Sequence, residues 1–513
     1  MLLSKKTNRV NVDVFRIARV FFVLSLVFSF ARTLPDVWRV PIILHGDMHG
    51  FFVALTFLGA TLIFLGTKLD KFDVFVAITI VAYLSWSALC LFLGINRIDF
   101  GDDLSTIPSL EKIVNFFDAN LSPNIKEVTI KVWLAARSLK GLVFDPLLIC
   151  VFSSYFLYRN KVREGLSDYR IGLMMLFGLL TIYGSIEVLS TFFKVPDATL
   201  FLKSFNIYLY DVAGNHGWWP PLLWNGQLRS LTEEPSMLSI TLLFIIPVFW
   251  GRTITANGKQ YWIYSLFFFT SFLMIFLTKS RTGVVCGLGE LLVLLLLGLI
   301  FSRSMHRRIL LNIAIVIVAF FVALSITSST LKWTAVSSYF NSNVESVFKK
   351  NARSNTARYE NLMAHLEVFK DNPVFGVGVG LASPYLNEAN IVKNSSNNEV
   401  NNAWLSHYDR NKFWSEGFGG MPTLNVYAAI LVSSGFLGLL LYIFLPGYSL
   451  IKCLRRSNVF FDPDCQMLFT SVMVGLVLFV SNTYGQSLLG FAVGFLLSLI
   501  KKFFEPPMST DKQ

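Results

Sequence analysis

Charged residues are scarce in this chain. Only 15% of its 513 residues are Asp, Glu, Lys or Arg, whereas soluble globular domains carry about 25%. Hydrophobic residues make up 54% and the mean hydropathy is +0.57, which indicates a polytopic membrane protein. The net charge of +12 does not predict a nucleic-acid partner, because the basic residues cluster between apolar runs, as they do in membrane proteins.

Cysteine is also scarce. The five cysteines are scattered without C-x-x-C spacing, so the sequence indicates neither a disulfide framework nor a zinc site. His45 and His49 flank Asp47 with a spacing that suits a metal, but a trio without further ligands favours a polar surface, and no metal or cofactor is expected. Internal repeats and low-complexity tracts are lacking too, and a repeat fold is not indicated.

Long apolar runs are what the chain has in abundance. A membrane-spanning helix needs about twenty apolar residues. The runs predict an all-α polytopic fold with about twelve such helices, the first an uncleaved helix rather than a signal peptide. The predicted spans are 14–31, 50–67, 73–94, 141–158, 170–193, 236–250, 261–278, 283–301, 309–326, 424–447, 467–482 and 485–500.

The charges between the spans predict the topology. Lys and Arg occupy the N-terminus, every even-numbered loop and the C-terminus, which places both termini in the cytoplasm. The odd loops then face outward, and three of them are long, near 95–140, 194–235 and 327–421. The expected organisation is nine helices in 1–326, a large outer loop at 327–421, three helices in 422–502 and a cytoplasmic tail at 503–513.

Two polar clusters lie where outer loops meet predicted helices. Arg281, in the run Lys279–Gly283, can bind an anion with its guanidinium or snorkel to lipid headgroups. Glu234 precedes Pro235 at a helix start, where a carboxylate favours the positive end of the dipole. It can alternatively accept a proton or orient Arg229.

A third cluster lies in the long outer loop. Residues 356–370 show the apolar spacing of an amphipathic helix, on which Arg358 and His365 fall along one line. Arg353 lies just before this helix. Arginines near a helix N-terminus suit a diphosphate, although a solvated face balanced by acidic neighbours is the alternative.

Histidines and glycines add weaker signals. His216 lies in an aromatic outer stretch that suits an interfacial belt or sugar stacking, and His407, beside Asp409 and Arg410, is a candidate acid–base group. The glycine run 376–380 lacks the setting of a nucleotide fingerprint, and we expect it to let the backbone pass close to another element.

In this order and with this topology, the motifs resemble those of bacterial O-antigen polymerases and O-antigen ligases over roughly residues 200–445. The matching residues are Arg229 ahead of Glu234-Pro235-Ser236, Ser280-Arg281-Thr282-Gly283, Arg358 followed by Asn372-Pro373-Val374-Phe375-Gly376-Val377-Gly378, and Asn425 followed after nine residues by Gly435-Phe436-Leu437-Gly438.

The resemblance implies a GT-C-like fold in the bacterial inner membrane and a periplasmic outer loop. It implies transfer of a glycan from undecaprenyl diphosphate, with membrane lipids, a flippase and a chain-length regulator as further partners. The mechanism it implies assigns catalysis to Glu234, Arg229 and Arg281, and diphosphate binding to Arg281, Arg353 and Arg358. Further candidates for acid–base or sugar contacts are His365, His407, His216 and Asn425.

Three functions stay open at this point. Ligases of the resembled family carry a histidine before the Asn or Ser of the last motif, and this chain has Leu424 there, which favours a polymerase. An O-antigen ligase is the alternative within the family. A lipid or solute transporter is the alternative of another class, although the polar groups cluster at outer helix ends rather than at mid-membrane on repeated helices.

Overall fold

The computed structural model describes residues 2–32, 47–97, 123–210, 220–301, 306–328, 337–339, 341, 353–397, 400 and 424–504. The regular elements in these ranges are helical, which confirms the all-α fold. The α-helices in chain order are α1 (Leu2–Val27), α2 (Met48–Gly66), α3 (Lys71–Arg97), α4 (Pro123–Val143), α5 (Pro146–Tyr158), α6 (Val162–Thr191), α7 (Pro196–Phe205), α8 (Pro235–Thr255), α9 (Lys259–Thr278), α10 (Arg281–Phe301), α11 (His306–Thr327), α12 (Arg353–Asp371), α13 (Ala382–Glu388), α14 (Asn390–Lys393), α15 (Val426–Arg455), α16 (Pro463–Leu478) and α17 (Gln486–Phe504).

Every predicted span overlaps a helix, although 141–158 crosses the break between α4 and α5, and the helices differ in length and apolar character. Within the described ranges, nine are long and apolar enough to cross a membrane, namely α2, α3, α6, α8, α9, α10, α11, α15 and α17. The end of α4 and α5 form a further pair, bent by 45°. The helix α16 has only 16 residues. A multi-pass membrane protein is confirmed, whereas the count of twelve stays a prediction.

Helix starts follow from local sequence. Asp145 precedes Pro146 and accepts hydrogen bonds from the N–H groups of Leu147 and Leu148, at 3.1 and 3.0 Å, so it satisfies two donors that the first turn leaves unpaired. Asp462 caps α16 in the same way, ahead of Pro463. These caps set where the helices begin and hence which residues lie at each end of the bundle.

One end of the bundle gathers the basic ends of several helices. Asp73, at the start of α3, forms buried ion pairs with Arg159 and Lys501 and accepts a 2.8 Å hydrogen bond from the Tyr155 hydroxyl. Lys501 also contacts Asp70. The second loop, the fourth loop and the C-terminal helix therefore lie together on one side, as the alternation of loop charge predicts.

The helix α15 is broken at Gly435, where φ is +68°. The break removes the helical partners of three carbonyls, and other segments replace them. The N–H groups of Val377 and Gly378 donate to the carbonyls of Val432 and Ser433, at 2.8 and 3.1 Å. The Trp86 indole donates to the carbonyl of Ser434 at 2.8 Å.

The glycines of this junction allow the close approach that the sequence predicted for the glycine run. A Cβ added at Gly376 would lie 2.4 Å from the Val432 carbonyl oxygen, and one at Gly435 would lie 1.9 Å from that of Val374. The N–H of Phe436 in turn donates to the Pro373 carbonyl at 3.0 Å. The Pro-Val-Phe-Gly-Val-Gly stretch thus completes the broken helix and holds α12 against the bundle.

Candidate functional site

Two helix N-termini meet at the end of the bundle opposite the basic cluster. The first turn of α10 packs against the start of the second turn of α8, where a Cβ added at Gly283 would lie 2.3 Å from the Cβ of Ser239. Helix N-termini carry unpaired N–H groups and partial positive charge. Their convergence makes this region favourable for an anion.

Arg281 is the first residue of α10 and follows a tight turn. Lys279 ends α9 in the left-handed conformation, with φ at +51°, and Ser280 caps α10 by accepting the N–H of Gly283 at 3.2 Å. The Arg281 Nη1 donates to the Asn355 Oδ1 on α12 at 3.0 Å. Arg281 therefore links the membrane bundle to the helix of the long loop. Burial also lowers the pKa of Lys279.

Glu234 occupies the N-cap position of α8, but its carboxylate makes no hydrogen bond to the backbone of the first turn. The Ser236 hydroxyl instead donates to its Oε2 at 2.6 Å. Burial raises the pKa of Glu234, while the hydrogen bond from Ser236 and the positive charge of Arg358 lower it. Arg358 is thus close enough for its charge to act on Glu234, and Arg281 contacts Asn355 on the same helix α12, so α12 connects three distant stretches of sequence.

Arg229 lies elsewhere and does not pair with Glu234 as expected. It is only 1% exposed, and its guanidinium donates to the carbonyls of Pro221 and Leu222, at 2.7 and 2.8 Å. It lies 4.0 Å above the Tyr210 ring, and its Nε is 3.9 Å from Glu187. A buried arginine needs a nearby carboxylate, and α6 provides one.

Glu187 is the polar residue of this region that the sequence analysis missed. Its Oε2 accepts the N–H groups of Arg229 and Ser230, at 3.1 and 2.6 Å. A signal was present, since a lone carboxylate inside an apolar span is costly and marks a polar contact. The sequence gives no partner for it, because 42 positions separate Glu187 from Arg229.

The other predicted residues are dispersed. Asn425 caps α15, accepting the N–H of Ala428 at 2.9 Å. His365 is buried in α12; its Nδ1 contacts the Asn361 carbonyl at 2.7 Å, and its Nε2 has no partner among the described residues. Burial lowers its pKa. Arg353 begins α12, with only its backbone described, and His216 and His407 lie outside the described residues.

One comparison with known proteins bears on this site. Residues 266–443 match the family model described as O-antigen ligase. The match covers about a third of the chain and includes Arg281, Arg358, the glycine run and the break in α15. It confirms the resemblance to the O-antigen ligase and polymerase family and supports a glycosyltransferase-like function of that type. A search of curated proteins finds no match.

Proposed function

We propose that the chain polymerises lipid-linked oligosaccharide repeats on the outer face of the bacterial inner membrane. The donor is a glycan on undecaprenyl diphosphate, and the acceptor is the terminal hydroxyl of a second lipid-linked repeat. The hydroxyl oxygen forms a bond to the anomeric carbon, the bond from that carbon to the diphosphate breaks, and undecaprenyl diphosphate leaves with the electron pair. The hydroxyl proton passes to Glu234.

The observation that carries this proposal is the position of Arg281 and Arg358 beside two converging helix N-termini. A departing diphosphate gains negative charge, which fixed guanidinium groups and helix dipoles stabilise. Arg353, at the start of the same α12 helix, is proposed as a third donor to the diphosphate. Removing one such donor in a preorganised site costs about a hundredfold to a thousandfold in rate.

Glu234 is the proposed base because it lies next to the arginines yet keeps a carboxylate outside the backbone hydrogen bonds of α8. Burial raises its pKa, which makes the carboxylate a better proton acceptor at neutral pH than an exposed glutamate is. His365 is a weaker candidate, because it is buried within α12.

A second candidate function is transfer of finished polymer to the lipid A-core, which is the activity of an O-antigen ligase. The description of the matched family model favours it, whereas Leu424 at the position of the ligase histidine favours the polymerase. Deletion of the gene separates them: loss of a polymerase leaves one repeat on the core, and loss of a ligase leaves none.

The test is a purified assay in lipid nanodiscs with a labelled undecaprenyl-diphosphate-linked repeat. A polymerase releases undecaprenyl diphosphate and forms longer lipid-linked chains. We expect Arg281→Ala to abolish this product, while Arg163→Ala, at an exposed position near the start of α6, keeps it. A protein that forms no bond in nanodiscs but moves the repeat across the bilayer of reconstituted vesicles would be a transporter, and this result would refute the proposal. Normal chain length from Arg281→Ala would also refute it.

A further inference from the structure

The turn 229–234, which ends at Glu234, is hydrogen-bonded to a carboxylate of α6. Glu187 lies near the outer end of that helix and is 4% exposed. Its Oε2 accepts two consecutive N–H groups, those of Arg229 and Ser230, at 3.1 and 2.6 Å. Its Oε1 faces the Arg229 guanidinium at 3.9 Å. One carboxylate thus binds both the backbone and the side chain of the turn.

The turn also holds an uncommon backbone conformation. Ser230 is fully buried and left-handed, with φ at +54°. Its hydroxyl donates to the Leu180 carbonyl at 2.6 Å, and its own carbonyl accepts the Tyr210 hydroxyl at 2.8 Å. A serine keeps such a conformation only where its surroundings enforce it, and residues of this kind cluster at functional sites.

Thr232 carries the constraint from this turn to Glu234. The N–H of Thr232 donates to the Arg229 carbonyl oxygen at 3.2 Å. The Thr232 hydroxyl lies 2.8 Å from the Glu234 carbonyl oxygen and 2.7 Å from that of Arg229. Thr232 is itself fully buried. The chain from Glu187 to Glu234 therefore has a hydrogen bond at each step.

We propose that Glu187 is a positioning residue, which fixes the turn 229–234 and thereby places the Glu234 carboxylate for proton transfer. This inference rests on the proposed function, in which Glu234 is the base. Glu187 touches no substrate; it acts through the backbone of the turn. The plain alternative is that the ion pair with Arg229 only stabilises the fold.

A double-mutant cycle on turnover separates these two roles. The variants Glu187→Gln and Glu234→Gln are made singly and together, and kcat and KM are measured for the labelled lipid-linked repeat. We expect Glu187→Gln to lower kcat between tenfold and about a hundredfold, the cost of an ångström of misplacement, with KM changed less than about twofold. In the Glu234→Gln background it should have no further effect.

Two further variants guard against a trivial loss of fold. Thr232→Val cuts the link between the turn and Glu234 but keeps the Glu187 ion pair, and it should show the same non-additive loss of kcat. Asp168→Asn removes another buried carboxylate from α6, one that pairs with Arg19 at 2.6 Å near the opposite end of the helix. Its effect, measured with thermal unfolding of each variant, should be additive with Glu234→Gln.

The outcomes are distinct. The positioning role is overturned if Glu187→Gln has a normal kcat. It is also overturned if the fold loss of kcat in the double variant equals the product of the fold losses in the two single variants. Either result leaves Glu234 as the base. If Glu234→Gln keeps full activity, Glu234 is not the base, and Glu187 then has no positioning role.

Discussion

The broken helix α15 gives the sharpest prediction of stability. Replacing Gly435 by alanine forces a side chain into a backbone conformation, φ +68° and ψ −173°, that is nearly exclusive to glycine. Such a residue costs about 1–3 kcal/mol. The added Cβ would also lie 1.9 Å from the Val374 carbonyl oxygen, so the stretch 373–378 must withdraw.

The free-energy cost of moving the stretch 373–378 follows from the hydrogen bonds that are lost. Three hydrogen bonds close the junction, from the N–H groups of Val377, Gly378 and Phe436. Each is worth about 1 kcal/mol, and more where a buried group is left unpaired. With the backbone strain, we expect Gly435→Ala to destabilise the protein by about 5 kcal/mol.

Gly447→Ala is the matched control, because Gly447 lies in the same helix and a Cβ there meets no described residue within 4 Å. Alanine favours a helix over glycine by about 1 kcal/mol, so this variant should be neutral or slightly more stable. The assay is heating in detergent followed by size-exclusion chromatography. We expect the midpoint of Gly435→Ala to fall by roughly 5–10 °C. Equal midpoints for the two variants would refute the role of the junction.

Two further predictions concern the two ends of the bundle. If Glu234 is the base, turnover falls as pH drops through its pKa, because only the ionised carboxylate accepts a proton; burial raises that pKa, so the fall should lie above the usual value of about 4.3. A pH–rate profile of Glu234→Gln should lack this limb, and an unchanged limb would exclude Glu234. At the other end, Asp73→Asn leaves Arg159 and Lys501 without their shared carboxylate, and we expect a loss of about 3–5 kcal/mol. Thermal unfolding checks this, and an unchanged midpoint would contradict it.

The sequence predicted the parts of the structure that hydropathy and charge determine. Helix positions follow from apolar length, and the shared side of the basic loops follows from their charge. That Glu234, Arg281 and Arg358 form one site stays a prediction, although the structure links Arg281 and Arg358 through α12. Helix positions and loop charge each follow from one local stretch of sequence.

The partners of individual residues could not be predicted in this way. Arg229 and Glu234 are neighbours in sequence, yet the turn between them directs Arg229 to Glu187 on α6. The break in α15 was equally hidden, since its apolar run reads as a continuous helix and its missing partners lie on the distant stretch 373–378. Contacts between distant segments decide such details.

The junction between the glycine run and α15 also has a consequence for how the two segments evolve. Gly376 tolerates no side chain because the carbonyls of α15 are exposed by the break, and Gly435 tolerates none because the glycine run occupies that break. A side chain at either position would therefore displace the segment that contains the other glycine. Among relatives of this chain, we expect the two to be gained and lost together, so that two motifs read as separate signatures are inherited as one.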